Sequence, residues 1–197
     1  MKVAIIILAA GSSVRMGQPK QLMAWGATTL LGNAIDAASQ SNADAVFVVL
    51  GARAESIQTA LEGLRFKPIV NRDWENGMGS SISTGICHIM DGGYSPDAIL
   101  LMVGDQPFMD AAYLNKLIDT YHTGHAKIVA THYPSKLGVP AIFDSSYYNA
   151  LGALKGEQGA GLLIKKHQND CVGLNAGKKV LDLDTVDEYR KYKPENH

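Results

Sequence analysis

A chain of 197 residues, 46% hydrophobic and 19% charged, is long enough to bury one substantial core and has the composition of an ordinary soluble globular protein. Its formal net charge of -1 gives no electrostatic basis for binding nucleic acid or a membrane surface, so any anion site has to be local. One domain over residues 1–197 is expected. Cys87 and Cys171 lack the close spacing of a zinc pair or a redox motif and read as buried free thiols of a reducing cytoplasm.

In chain order, Val3 to Leu8 is almost wholly apolar, which suits a strand covered on both faces, as in a parallel sheet flanked by helices. The longer run to Ala10 is too short to span a bilayer, and Lys2 alone makes a poor secretory leader. Thr29 to Gln40 carries Leu30, Leu31, Ala34, Ile35 and Ala38 at helical spacing. Further apolar runs at Ala45–Gly51, Pro68–Asn71, Ala98–Asp105 and Lys127–Tyr133 read as strands. Between the last two, Asp110 to His122 reads as a helix with Asp110 as its N-cap. This alternation predicts a three-layer α/β fold with a mostly parallel sheet, whose ligands gather at the carboxyl ends of the strands. The final segment "KYKPENH" reads as a frayed end.

The unusual polar segments follow predicted strands. In "IIILAAGSSVRMGQPKQL" the glycines Gly11 and Gly17 satisfy neither Walker A nor the dinucleotide fingerprint. Small residues at Ala9, Ala10, Gly11, Ser12 and Ser13 would let backbone N–H groups approach phosphate oxygens, and Arg15 and Lys20 could neutralise a polyphosphate. The same composition also fits a surface connection with two solvated bases. Asp105, in "VGDQPF", stands at a strand rim where a carboxylate can hold a divalent metal against phosphates, or simply shape a turn. In "LDLDTVDEY", Asp182 and Asp184 share a face if the segment is a strand, and Asp184 would then serve as a second metal ligand. Helix capping by Asp184 or Thr185 competes with that reading. In "NRDWENGMGSSISTGI", Ser80 and Ser81 could read a nucleobase edge or act as an ordinary N-cap. The histidines at 122, 125, 132 and 167 show no ligand spacing, and no nucleophile elbow is present.

Together these segments, with "GATTLLGNAID", "GVPAIF" and "LKGEQGAGLLI" between them, resemble the MobA-like nucleotidyltransferases over most of the chain. "LAAG" and "GDQP" lean toward the molybdenum cofactor cytidylyltransferase branch rather than the guanylyltransferases, whose loop more often reads LAGG. The resemblance implies a three-layer Rossmann-like nucleotidyltransferase fold with a mixed, mostly parallel sheet. It implies transfer of CMP from CTP, with Mg²⁺ or Mn²⁺, to a phosphorylated acceptor such as molybdopterin, with release of pyrophosphate and hand-over to a molybdoenzyme or its chaperone. Carried over, Leu8, Ala9, Ala10, Gly11, Ser12, Asn71, Ser80 and Ser81 meet the nucleotide, and Arg15 and Lys20 hold the triphosphate. Asp105 binds the metal, opposite Asp184 or Asp182. Gly138, Pro140 and Gly159 fall in the acceptor half. There the chain departs from the family, which often reads Gly-His-Pro at 138–140 and Gly-Asp-x-Gly-Ala-Arg at 156–161, where Val139 and Gly161 stand here. Another nucleoside triphosphate, a sugar or alditol phosphate acceptor, and a non-catalytic carrier are the alternatives. Some relatives of this branch are described as oxidoreductases on aromatic heterocycles, a class for which no dinucleotide fingerprint is found.

Overall fold

The first apolar run forms β1 (Val3–Ala9), in which every residue is buried. The computed structural model describes residues 1–12, 19–183 and 185–194. After β1 come a two-strand hairpin, β2 (Ala24–Trp25) and β3 (Thr28–Thr29), then α1 (Leu30–Ser39), β4 (Ala45–Leu50), α2 (Ala54–Ala60), β5 (Lys67–Val70), α3 (Met78–Asp91) and β6 (Ala98–Val103). The second half holds α4 (Ala111–Thr123), β7 (Ile128–His132), β8 (Leu137–Asp144), α5 (Tyr148–Gly152), α6 (Gly161–Lys166), β9 (Cys171–Asn175) and α7 (Val186–Tyr192).

Among the described residues the main sheet has seven strands in the order β5-β4-β1-β6-β8-β7-β9. β1 pairs in parallel with β4 and β6, placing Ile6 between Phe47 and Leu101. β8 runs against both β6 and β7, while β9 is parallel to β7. The sheet is therefore mixed through one reversed strand.

Alternation along β1 divides the interior. Val3, Ile5, Ile7 and Ala9 join α1, α2 and α4 through Leu31, Ile35, Ile57, Leu114 and Leu117. Ala4, Ile6 and Leu8 join α3, α5 and α6 through Ile82, Ile86, Leu151 and Ile164. Each fully buried aliphatic side chain contributes about 1.5–3 kcal/mol relative to exposure, so this two-sided covering makes β1 a heavily stabilised strand contact between the two layers of helices. A third cluster, Met23, Trp25, Leu30, Leu183 and Tyr189, ties the hairpin to the segment leading into α7.

Asp110 caps α4 as expected, and Thr29, read as helical, instead caps α1. Thr29 accepts from the Gly32 amide at 3.0 Å and Asp110 from the Tyr113 amide at 2.9 Å. Other expectations are corrected. Ser80 and Ser81 are not caps: α3 starts at Met78 behind Gly77. They lie inside its first turn, where the Asn71 side-chain amide donates to both hydroxyls, at 2.9 and 3.0 Å. Asp182 is not in a strand, and Thr185 caps α7 in a reciprocal capping box with Glu188. Lys191 and Tyr192, read as frayed, belong to α7. The cysteines are free thiols, yet Cys87 is exposed and Cys171 half-buried. Among the described residues no helix is long and apolar enough to cross a membrane.

Candidate functional site

At the carboxyl ends of β1 and β6 lies a two-lobed cleft. The smaller lobe, about 410 Å³, is walled by Leu8, Ala9, Ala10, Gly11, Ser12 and Lys20 from the first loop, Trp74 and Ser81 from the approach to α3 and its first turn, and Asp105. The larger, about 1170 Å³, is walled by Asp105, Gln106, Tyr133, Gly138, Val139, Gly159, Gly161 and Asp182, with Lys136 and Lys165 supplying positive charge. Leu8, Met78, Val103, Asp105 and Glu157 line both lobes. Asp105 therefore stands where they meet.

The first loop is held from within. The Gln21 side-chain amide, 8% exposed, donates to the carbonyls of Ala9 at 3.0 Å and Gly11 at 2.7 Å. On the other flank, the Ala52 amide donates to the Ala10 carbonyl at 3.1 Å. Gly51 allows this approach, since a Cβ there would lie 2.6 Å from that carbonyl oxygen and 2.5 Å from the Trp74 Cβ. With those carbonyls engaged, the small residues of the loop line the cleft, and among its described residues the positive charge is that of Lys20. The Lys20 Nζ reaches Asp105 Oδ2 at 2.7 Å, with side-chain exposures of 12% and 32%. The pair stands half-buried on the lobe wall.

Between the lobes, the residue 155–158 turn locks onto the start of α3. The Gly79 amide donates to the Gly156 carbonyl at 2.8 Å. Gly77 takes φ +88°, and a Cβ there would stand 2.5 Å from the same oxygen. Glycine is required at 77 on both counts.

The larger lobe has a polar floor. The Gln106 amide nitrogen donates to the Tyr133 hydroxyl at 2.6 Å and to Asp182 Oδ1 at 2.7 Å, and the Tyr133 hydroxyl donates to the Val139 carbonyl. Burial, more than any neighbouring charge, pushes the Tyr133 phenol up to about 12. The Leu183 amide meets the Asp105 carbonyl at 3.3 Å, so the segment carrying Asp182 is tied to the loop carrying Asp105.

The structure thus gathers most of the residues singled out from the sequence. Leu8–Ser12, Lys20, Ser81 and Asp105 share the smaller lobe. Asp182, Gly138 and Gly159 share the larger. Asn71 and Ser80 sit behind the wall: Asn71 is 2% exposed and holds the serines, and the Ser80 hydroxyl lies 2.9 Å from the Asp73 carbonyl and 2.8 Å from that of Gly77. Pro140 is buried in β8, where its carbonyl accepts from Thr131 Oγ1. Arg15 and Asp184 lie outside the described residues. Sequence reasoning passed over Gln106, Tyr133 and Glu157, although Gln106 stood inside the quoted "GDQP".

Residues 5–171 match the model of the MobA-like NTP transferase domain. The chain belongs to this family. It is a nucleotidyltransferase, and a nucleoside triphosphate is among its substrates. Relatives that the nucleotidyltransferase resembles along nearly its whole length include nicotine blue oxidoreductase of Paenarthrobacter nicotinovorans, 26% identical over 93% of this chain and 92% of the relative. Purine catabolism protein PucB of Bacillus subtilis is 27% identical over 95% and 92%. Among solved structures, the manganese complex of Rv0371c from Mycobacterium tuberculosis superposes with TM-score 0.81 at 28% identity, covering 97% of each chain.

Proposed function

We propose that this nucleotidyltransferase moves CMP from CTP onto the phosphate of a molybdopterin-type acceptor, releasing pyrophosphate, and passes the product to a molybdoenzyme or its chaperone. The observation that carries the reading is the joining of two lobes at Asp105: a small-residue loop with Lys20 on one side and a roomier chamber on the other. The smaller lobe takes the triphosphate and the larger the acceptor. An acceptor phosphate oxygen attacks the α-phosphorus, a new P–O bond forms, the bond to the β-phosphate oxygen breaks, and pyrophosphate leaves with the electron pair. Such a displacement needs no protein nucleophile, because positioning and charge neutralisation carry it.

Lys20 is the described cation placed to offset charge on the triphosphate, with Arg15 as its expected companion. Asp105 and Asp182 both line the larger lobe and offer hard carboxylate oxygens. Among the described residues no three His, Cys, Asp or Glu side chains gather around one point. One or two carboxylates completed by phosphate oxygens is the donor set that Mg²⁺ accepts. A manganese complex of a relative supports the same class of ion. When bound, the ion would neutralise charge on the phosphoryl oxygens.

The departures at 139 and 161 favour a second reading. Val139 and Gly161 both line the larger lobe, so the imidazole and guanidinium that the family often carries would be missing from its wall. A different phosphorylated acceptor with an apolar body fits that wall better than a polyol. Pyrophosphate release from each of the four nucleoside triphosphates, with Mg²⁺, with and without molybdopterin, separates these readings. Pterin-dependent release with CTP is expected. Release with another triphosphate or another acceptor replaces the assignment, and binding of CTP without release in any combination makes the protein a carrier.

A further inference from the structure

We propose that Gln106 is a positioning residue, which orients the Asp182 carboxylate toward the metal–nucleotide complex and couples it to the acceptor wall. The inference rests on the nucleotidyltransferase reading of the cleft and extends it to a residue that touches no reacting atom.

Chemistry fixes the orientation of this amide. A carboxylate can only accept, so the Gln106 nitrogen must face Asp182; the Tyr133 hydroxyl gives its proton to Val139 and therefore accepts from the same nitrogen. Both amide hydrogens are thereby used. The Gln106 Oε1 is left buried with no hydrogen-bond partner among the described residues, in a side chain that is 2% exposed overall. An apolar residue of equal size would avoid that penalty, so stability alone gives no reason for an amide here.

What the amide does achieve is connection. Asp182 is exposed at the cleft. The contacts that hold it include the Gln106 amide, Leu183 buried next to it, and the Leu183 amide on the Asp105 carbonyl. Through Tyr133 the same nitrogen reaches Val139 on the acceptor side. One amide thus joins three segments that are distant in sequence, and a group that orients a ligating carboxylate typically changes metal affinity or activity by about 10–100-fold when removed.

The test uses Mn²⁺ with CTP as probe and the full-length protein. Free Mn²⁺ is followed by electron paramagnetic resonance while CTP is held constant, for the wild type, Gln106→Leu, Asp182→Ala and the double variant, with melting temperatures recorded alongside. Gln106→Leu is expected to melt at or above the wild-type temperature yet to bind Mn²⁺–CTP about tenfold more weakly. Asp182→Ala should lose a similar factor, and the double variant no more than either single change, because both act through one carboxylate. Wild-type Mn²⁺ affinity in Gln106→Leu, additive losses in the double variant, or no Mn²⁺–CTP binding by the wild type overturns the proposal. Metal binding without pyrophosphate release by the wild type overturns the transferase assignment and leaves the positioning role standing.

Discussion

Replacing Gly79 by alanine tests whether the start of α3 and the 155–158 turn act as one unit. A Cβ at 79 would stand 2.7 Å from both the nitrogen and the carbonyl carbon of Lys155. These are backbone atoms that cannot swing aside, so the turn must retreat, and overpacking of this kind costs about 1–3 kcal/mol. The retreat also stretches the 2.8 Å hydrogen bond from the Gly79 amide to Gly156, worth about 0.5–1.5 kcal/mol net. Against this, alanine is preferred to glycine in a helix by at most about 1 kcal/mol. The balance is a loss of about 1–3 kcal/mol, measurable as a lower urea midpoint at unchanged slope and, for a chain of this length, a fall in Tm of about 2–4 °C per kcal/mol. Because the turn carries Glu157 into both lobes, CTP affinity should fall as well. A variant as stable as the wild type would refute the claim that the two segments are locked together.

Asp105→Ala is expected to abolish pyrophosphate release while the protein still melts cooperatively; full activity would remove Asp105 from metal binding. Lys20→Ala should chiefly weaken nucleotide use, raising the KM for the triphosphate about tenfold or more, and an unchanged KM would show that the loop charge lies elsewhere. Leu183 is fully buried among Met23, Trp25, Leu30 and Tyr189. Leu183→Ala should therefore cost about 2–5 kcal/mol and expose residues 181–192 to limited proteolysis, whereas an unaltered digestion pattern would contradict that anchoring. Finally, Tyr133 and Tyr147 are both pushed up to about 12, burial being the main cause. An unfolded phenol ionises near its ordinary value, so above about pH 10 the unfolded state releases protons that the folded state retains. The stability tied to these phenols is whole below pH 10 and is lost as pH rises toward 12. Denaturant midpoints should drop over that window, and less steeply in Tyr133→Phe.

What the sequence made legible follows from burial. β1, β4 and β6 are covered on both faces or nearly so, and their unbroken apolar runs carry that signal directly. β8 and β9 gave no such signal. β8 carries Gly138 and Pro140, residues that discourage a strand, and here it runs next to a register shift at Ala130/Thr131 in its partner. β9 lies at the sheet edge with three of its five residues, Val172, Gly173 and Asn175, open to solvent, so it lacks an apolar run. At the site, the loop after β1 and Asp105 stood out because glycines with two bases, Arg15 and Lys20, after one strand and an acid after another are locally unusual. Gln106 and Tyr133 did not, because their importance comes from meeting Asp182, 76 residues beyond Gln106. Asn71 shows the converse limit: a polar residue just past a strand looks like a ligand contact, yet its amide serves the two serines of α3.

The anchoring of residues 181–192 has a consequence for how the site can be taken apart. Among the described residues every strand of the main sheet is complete by Asn175. The sheet can therefore pair all its strands without α7. With α7 undocked, the first loop, Lys20 and Asp105 keep their scaffold, whereas Asp182 loses its anchor and Trp25 its cover. Local opening of this one segment would dismantle the cleft at a fraction of the cost of unfolding the sheet.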